Sequence, residues 1–286
     1  MFKQQILPIV IAVVVFIGLS LAYLLQINLL NLVPGEKILT EVHWADVLVG
    51  LTIYLKTSID FALLIGILMS KFPGFKNRVA IEIGTAVGNA VGTAIVLVIW
   101  YFFKEVLWLL ALMILFASLV LFRLAQTSLE HLEEDDSDTQ NNPKVKSYGW
   151  TTPAVHALNK ILIPINKFLD PVLSKIVPDL SFKTDNISSW AGLFMASFTI
   201  PFILGMDDFA GYVPLFNVVN VFGFGLGVFL GHMILNIFLF ISPNKTIQII
   251  KNPVIAVLGS VAFIGLGIWG LYEVWHLLAS HYLHLG

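Results

Sequence analysis

The side chains of this chain that could do chemistry are acids and polar groups set inside otherwise apolar stretches. They are Asp60 in TSIDFALLIG, Asp207 and Asp208 in GMDDFAGYVP, and then Asn89, His232 and Asn236 in the apolar stretches that follow. A carboxylate at bilayer depth costs about 2.5 kcal/mol or more to insert, so a chain that keeps one in each half is expected to use them. Carboxylate and amide oxygens suit a hard divalent cation. Glu82, Thr85 and Asn89 recur at spacings of three and four, as do His232 and Asn236, so each set can share one helix face. Imidazole would favour a transition metal and could carry a proton near neutral pH. Against these readings, a single His on an apolar helix is often only a packed residue, and Glu82 is expected to pair with Arg78.

Lys56 lies one turn before Asp60, so the two can face each other. Two readings stay open for this pair. A permanent ion pair would neutralise the acid and fix helix packing, whereas a Lys that swings away or loses its proton would couple transport to protons. The hydroxyls of Thr57 and Ser58 are expected to bond back to their own helix. Near the other end, Glu273, His276, His281 and His284 cluster with Trp269 and Trp275, which fits an aromatic belt at a membrane interface.

The elements that position these residues are membrane spans. Apolar residues make up 58% of the chain and charged residues 12%, with a mean hydropathy of +0.88, where a soluble domain carries about 25% charged residues. The formal net charge is -2 and the basic residues form no continuous patch, which argues against nucleic acid as a partner. With no cysteine, a disulfide framework and a thiolate metal site are excluded. The run from Ile6 to Val33 is too long for a secretory leader and reads as a retained span. Further stretches of spanning length run from Trp44 to Ser70, Val79 to Phe103, Val106 to Ala125, Ser188 to Phe216, Val218 to Ile241 and Pro253 to Leu278, giving seven helices.

Loop charge orients them. With the amino terminus inside, the inner connections collect Lys71, Lys76, Arg78, Arg123, Lys245 and Lys251 among others, while the outer ones hold only Lys37 and Lys104. This places the amino terminus in the cytoplasm, the carboxyl terminus outside, and the chain in a plasma membrane, a bacterial inner membrane being the expected case. Residues 128–185 are the hydrophilic connection. Its acidic run from Glu130 to Asp138 reads as a flexible tether, and its stretch from Thr152 to Leu180 as an amphipathic helix lying on the anionic inner leaflet.

Removing the first span and its loop, residues 1–43, leaves three helices in residues 44–127 and three in 186–286. Because three is odd, two related triplets in one chain must have opposite orientations, which puts a binding site near the midplane between them. Asp60-Phe61-Ala62 matches Asp208-Phe209-Ala210, and the second helix of each triplet is rich in glycine: Gly84, Gly88 and Gly92 in one, Gly223, Gly225, Gly227 and Gly231 in the other. The fifth span is expected to be discontinuous, since Pro201, Gly205, Gly211 and Pro214 bracket its acidic pair.

Thr57-Ser58-Ile59-Asp60, followed by an apolar run, a short basic loop and a Gly-rich helix, resembles the first repeat of the cadmium-resistance transporters. Gly205-Met206-Asp207-Asp208 is similar to the matching motif in looser form. Those transporters belong to the lysine exporter (LysE) superfamily, together with TerC-like proteins and manganese or calcium exporters. The resemblance covers residues 44–127 and 186–280. It implies a 3+3 inverted repeat that moves metal ions or small cationic solutes, with the motif acids as ligands; the first span and the long connection depart from the minimal pattern.

The expectation is thus an all-α polytopic membrane protein of about seven spans, one amino-terminal helix plus a 3+3 inverted repeat. Asp60, Asp207 and Asp208 would converge on a divalent metal cation, with Asn89, His232 and Asn236 as secondary ligands and Lys56 with Asp60 as the coupling or ion pair. The expected partners are that cation and membrane lipid, with a homodimer as one allowed assembly and no resident cofactor. No phosphate-binding loop of the Gly-Lys type occurs, so a secondary transporter rather than an enzyme is expected. The competing readings are a membrane-embedded metal-dependent enzyme, using the same acids and His232, and a non-transporting scaffold whose connection binds partners.

Overall fold

The computed structural model describes the backbone of residues 2–137, 150–176, 189–216, 219–250 and 252–282. Within those ranges the side chains of 2–5, 7, 56, 59, 60, 127, 128, 130–137, 168–176, 203–211, 214, 250, 281 and 282 lie outside the described residues. Ten α-helices are described: α1 Phe2–Leu30, α2 Trp44–Thr57, α3 Ile59–Lys71, α4 Phe75–Phe103, α5 Leu107–Ser137, α6 Thr151–Ile176, α7 Trp190–Tyr212, α8 Val221–Ile241, α9 Pro243–Ile250 and α10 Pro253–Tyr282. Five carry continuous stretches long and apolar enough to cross a membrane: Pro8–Leu30, Phe75–Phe103, Leu107–Gln126, Val221–Ile241 and Pro253–Ser280. Their outward faces are greasy, with Val14, Leu21 and Leu25 on α1 and Val261, Ile268 and Trp275 on α10 all exposed. That is how a helix looks when its solvent is lipid.

The second apolar stretch is two helices, not one. Ser58 interrupts it, at φ -83 and ψ 23, between α2 and α3. The interruption is short: the Ser58 N–H donates to Tyr54 O at 2.9 Å, and the Ala62 N–H donates to Ser58 O at 2.9 Å. The fifth stretch reverses the expectation. The α7 backbone is helical through Pro201, Gly205 and the acidic pair up to Tyr212, and only then tightens into a 3-10 turn, Val213–Leu215. Proline is tolerated inside a membrane helix where neighbouring helices accommodate it. Here the buried Pro201 ring lies against α4 at Gly88, where a Cβ would come within 2.9 Å of Pro201 Cγ.

Two compact units divide the chain. The first unit holds α1, α2, α3, α4, nearly all of α7, and α8. Its backbones approach closely at glycines. A Cβ on Gly227 of α8 would collide with Val47 O of α2, and one on Gly50 of α2 with Phe224 O of α8. On α4, a Cβ at Gly84 would lie 2.6 Å from Phe194 O of α7, and one at Gly88 would collide with Phe198 O. So the glycine-rich second helix of each half lies on the first helix of the other half. Helix α1 joins this unit through Tyr23, whose hydroxyl donates to Val221 O at 3.2 Å, and through Gln26, whose Nε2 donates to Ala94 O at 2.8 Å.

The second unit is built from α5, α6 and α10. Leu121, Ala125 and Leu129 of α5 pack with Val155 and Leu162 of α6 and with Val257 and Phe263 of α10. The amphipathic stretch therefore spends one apolar face on protein rather than on lipid. Asn166 of α6 fixes it further, its Nδ2 donating to Phe122 O at 3.1 Å and to Gln126 Oε1 at 2.6 Å, while Ile161 and Ile163 stay exposed. The acidic run differs from the expected tether, because the α5 backbone stays helical to Ser137 and carries Glu130 to Asp136 in its last turns. Leu and Glu are strong helix formers, so a helix already started in the apolar stretch propagates through them.

Candidate functional site

A seam of polar side chains runs through the interior of the first unit. Tyr54 comes from the last turn of α2, Glu82, Thr85 and Asn89 from one face of α4, and His232 and Asn236 from successive turns of α8. All are buried: Glu82, Thr85, His232 and Asn236 are 0% exposed, Tyr54 1% and Asn89 2%. The antiparallel course of α4 and α8 brings Thr85 to the level of Asn236, and the glycine contact of α8 with α2 brings Tyr54 to the level of His232. A Cβ at Gly231 would come within 2.9 Å of the Tyr54 ring, so the phenol reaches the imidazole only because residue 231 has no side chain.

The hydrogen bonds form a chain. The Tyr54 hydroxyl bonds His232 Nδ1; Asn236 Nδ2 lies 3.1 Å from His232 Nε2 and donates to Thr85 Oγ1 at 3.1 Å; and Thr85 Oγ1 donates to Glu82 O at 2.9 Å. If Asn236 donates to Nε2, that nitrogen is the acceptor, and Nδ1 then carries the imidazole hydrogen toward the Tyr54 oxygen. The His232 ring is walled by Phe61, centroids 5.2 Å apart, and by Tyr54 edge-on at 5.5 Å. His232 is thus held in one orientation, with a partner on each ring nitrogen.

Not every atom in the seam is satisfied. Both carboxyl oxygens of Glu82, the Asn89 Nδ2, the Asn236 Oδ1 and the Ser58 Oγ have no hydrogen-bond partner. The expected Glu82–Arg78 pair does not form. Arg78 donates instead to Phe240 O and places its guanidinium 6.0 Å over the Phe240 ring, because the first turn of α4 abuts the end of α8 rather than folding back along itself. Thr57 does bond back to its own helix, Oγ1 to Tyr54 O at 3.2 Å, but Ser58 does not.

The residues expected from sequence fall into two groups. Asn89, His232 and Asn236 are in the seam. The side chains of Lys56, Asp60, Asp207 and Asp208 lie outside the described residues, as do those of His281 and His284; His276 stacks on Tyr272 at 6.2 Å. Sequence reasoning passed over Tyr54. Its one signal was a phenol set mid-stretch in an apolar run, where the hydroxyl needs a partner. Among the described residues no three His, Asp or Glu side chains group closely enough to hold a metal ion by themselves. The seam can still offer a cation carboxylate, amide and hydroxyl oxygens.

These features define the class as an all-helical membrane protein with a buried polar seam. In comparisons with known proteins, no family model, no curated protein and no solved structure matches this chain.

Proposed function

We propose that the protein is a secondary transporter that exports a divalent metal cation by proton-coupled alternating access, in the manner its resemblance to the LysE superfamily implies. The observation that carries this reading is the seam itself: a carboxyl, two amides, an imidazole and hydroxyls, all buried in a unit whose α4 and α8 are of membrane-spanning length, with five of their polar atoms unpartnered. Polar and ionisable groups inside a membrane are costly, and they mark ion or substrate pathways. Asn89, His232 and Asn236 are the secondary ligands in this reading, Asp60, Asp207 and Asp208 the primary ones, and Lys56 the partner of Asp60.

The reciprocal glycine contacts of α8 on α2 and α4 on α7 support a 3+3 inverted repeat. Two modules of opposite orientation related by a two-fold axis would make each such contact twice. In the second unit the third helices, α5 and α10, pair with each other, as the same symmetry requires. On this reading the α2–α3 stretch and α7 each cross the membrane, making seven spans in a plasma membrane with the amino terminus inside.

The test is metal flux in proteoliposomes across Mn2+, Ca2+, Cd2+, Zn2+ and Co2+, with Asp60→Asn and Asp208→Asn beside the parent protein. Flux of at least one ion, reduced at least tenfold in each variant, is expected. Undiminished flux in both variants would remove the acids from the path.

A further inference from the structure

Among the described residues Glu82 is the one buried acid, and its carboxyl makes no hydrogen bond. It lies seven residues into α4, about 10 Å along the helix axis from its start. It is 0% exposed, and neither oxygen has a partner. We propose that Glu82 is a proton-binding site in the membrane interior, the group through which proton movement is coupled to cation movement. The coupling half of this inference rests on the transporter reading; the proton-binding half does not.

Three observations carry it. First, among the described residues no titratable group on the elements packed against α4 hydrogen-bonds the Glu82 carboxyl. Arg78, one turn away, donates to Phe240 O and lies over its ring; His232 on α8 is bonded to Tyr54 and Asn236; Tyr23 on α1 bonds Val221 O; and Lys71 lies in the last turn of α3. The side chains of Lys3, Asp60, Asp207 and Asp208 lie outside the described residues. Second, a bare carboxylate with no donor or counter-charge is strongly unfavourable in a water-poor interior, so the group must hold either a proton or a cation. Third, the hydrogen-bonded chain of the seam ends on the Glu82 backbone carbonyl, to which Thr85 Oγ1 donates, and leaves the carboxyl itself outside it.

The exchange balances simply. In the proton-loaded state one Glu82 oxygen carries the hydrogen and the carboxyl is neutral. When a cation enters the seam, the O–H bond breaks, the proton leaves to water, and the electron pair stays on the carboxylate, which faces the incoming positive charge. One proton leaves per cation bound at this group, and the rest of a divalent charge is met by the acids proposed as primary ligands.

Infrared spectroscopy of the full-length protein reads the proton directly. The metal-free protein should show a protonated-carboxyl C=O band that loses intensity as pH rises and when Mn2+ is added. That band should be absent in Glu82→Gln and retained in Glu82→Asp, which keeps the acid. In proteoliposomes, Glu82→Gln should lose at least tenfold of the Mn2+ accumulation driven by an imposed pH gradient, while Glu82→Asp, which keeps the acid, should stay within about threefold of the parent. A band that survives Glu82→Gln, a band insensitive to both pH and Mn2+, or pH-driven accumulation retained in that variant would overturn the proposal. Should the parent move none of the five metals, the transporter reading falls, and the infrared result alone decides the proton site.

Discussion

At the scale of single residues, the account turns on how His232 is held. Each ring nitrogen has one buried partner, the Tyr54 hydroxyl on one side and the Asn236 amide on the other. Removing one partner leaves a buried polar atom unpaired, which costs about 1–3 kcal/mol. Tyr54→Phe and Asn236→Leu should each destabilise by that much, read as a lowered unfolding midpoint in detergent. The double variant Tyr54→Phe/His232→Phe should lose less than the two single changes summed, because no ring nitrogen is then left stranded. Additive losses would mean the contact carries no coupling. Asn89, His232 and Asn236 were legible in the sequence because an amide or imidazole in an apolar run stands out. Tyr54 was not, because its ring is itself apolar and hides the hydroxyl. Glu82 was legible as a residue but misassigned, since sequence proximity favours Arg78 while the fold sends that guanidinium to the neighbouring helix.

The elements are placed by close backbone approach, and a membrane leaves little else to drive it, because lipid is as apolar as the side chains. Gly227→Val should force α2 and α8 apart at Val47, costing about 1–3 kcal/mol or more. Gly18 of α1 and Gly265 of α10 have no atom within 4 Å of a built Cβ. Alanine there should be neutral or stabilising by up to about 1 kcal/mol. Equal effects at Gly227 and Gly265, measured by unfolding in the same detergent, would refute the packing argument. The glycine stripes were readable from four-residue spacing, but their partners were not, since nothing local says which helix will lie on them. The breaks were misread for a related reason. Proline and glycine announce a discontinuity in water, yet α7 stays helical through Pro201, while the interruption falls at Ser58, a residue with no breaker signature.

At the scale of the molecule, the first unit is clasped at the end where α1 leads into α2. Lys104 donates to Glu36 O at 2.8 Å and lies 5.1 Å and 4.9 Å over the rings of Trp100 and Tyr101. The Glu36 N–H donates to Glu105 at 3.3 Å, and Asn31 bonds Ile38 through both its amide atoms. Lys104→Met should therefore loosen residues 31–43 without unfolding the helices, seen as faster proteolysis of that loop at an unchanged unfolding midpoint. The membrane class was legible from composition alone. How the two halves divide between compact units was not, because that depends on pairing across the chain.

The central claim is that the seam of the first unit is a path and not merely a packed core. The absence of cysteine from the chain allows a direct measurement. A single cysteine placed at Asn89 is exposed, in proteoliposomes, to a membrane-impermeant thiol reagent from each side in turn, with and without Mn2+. The account predicts labelling that Mn2+ slows or shifts from one side to the other, while a cysteine at the buried Ile114 stays unlabelled throughout. An Asn89→Cys side chain as inert from both sides as the one at Ile114, with and without metal, would contradict it.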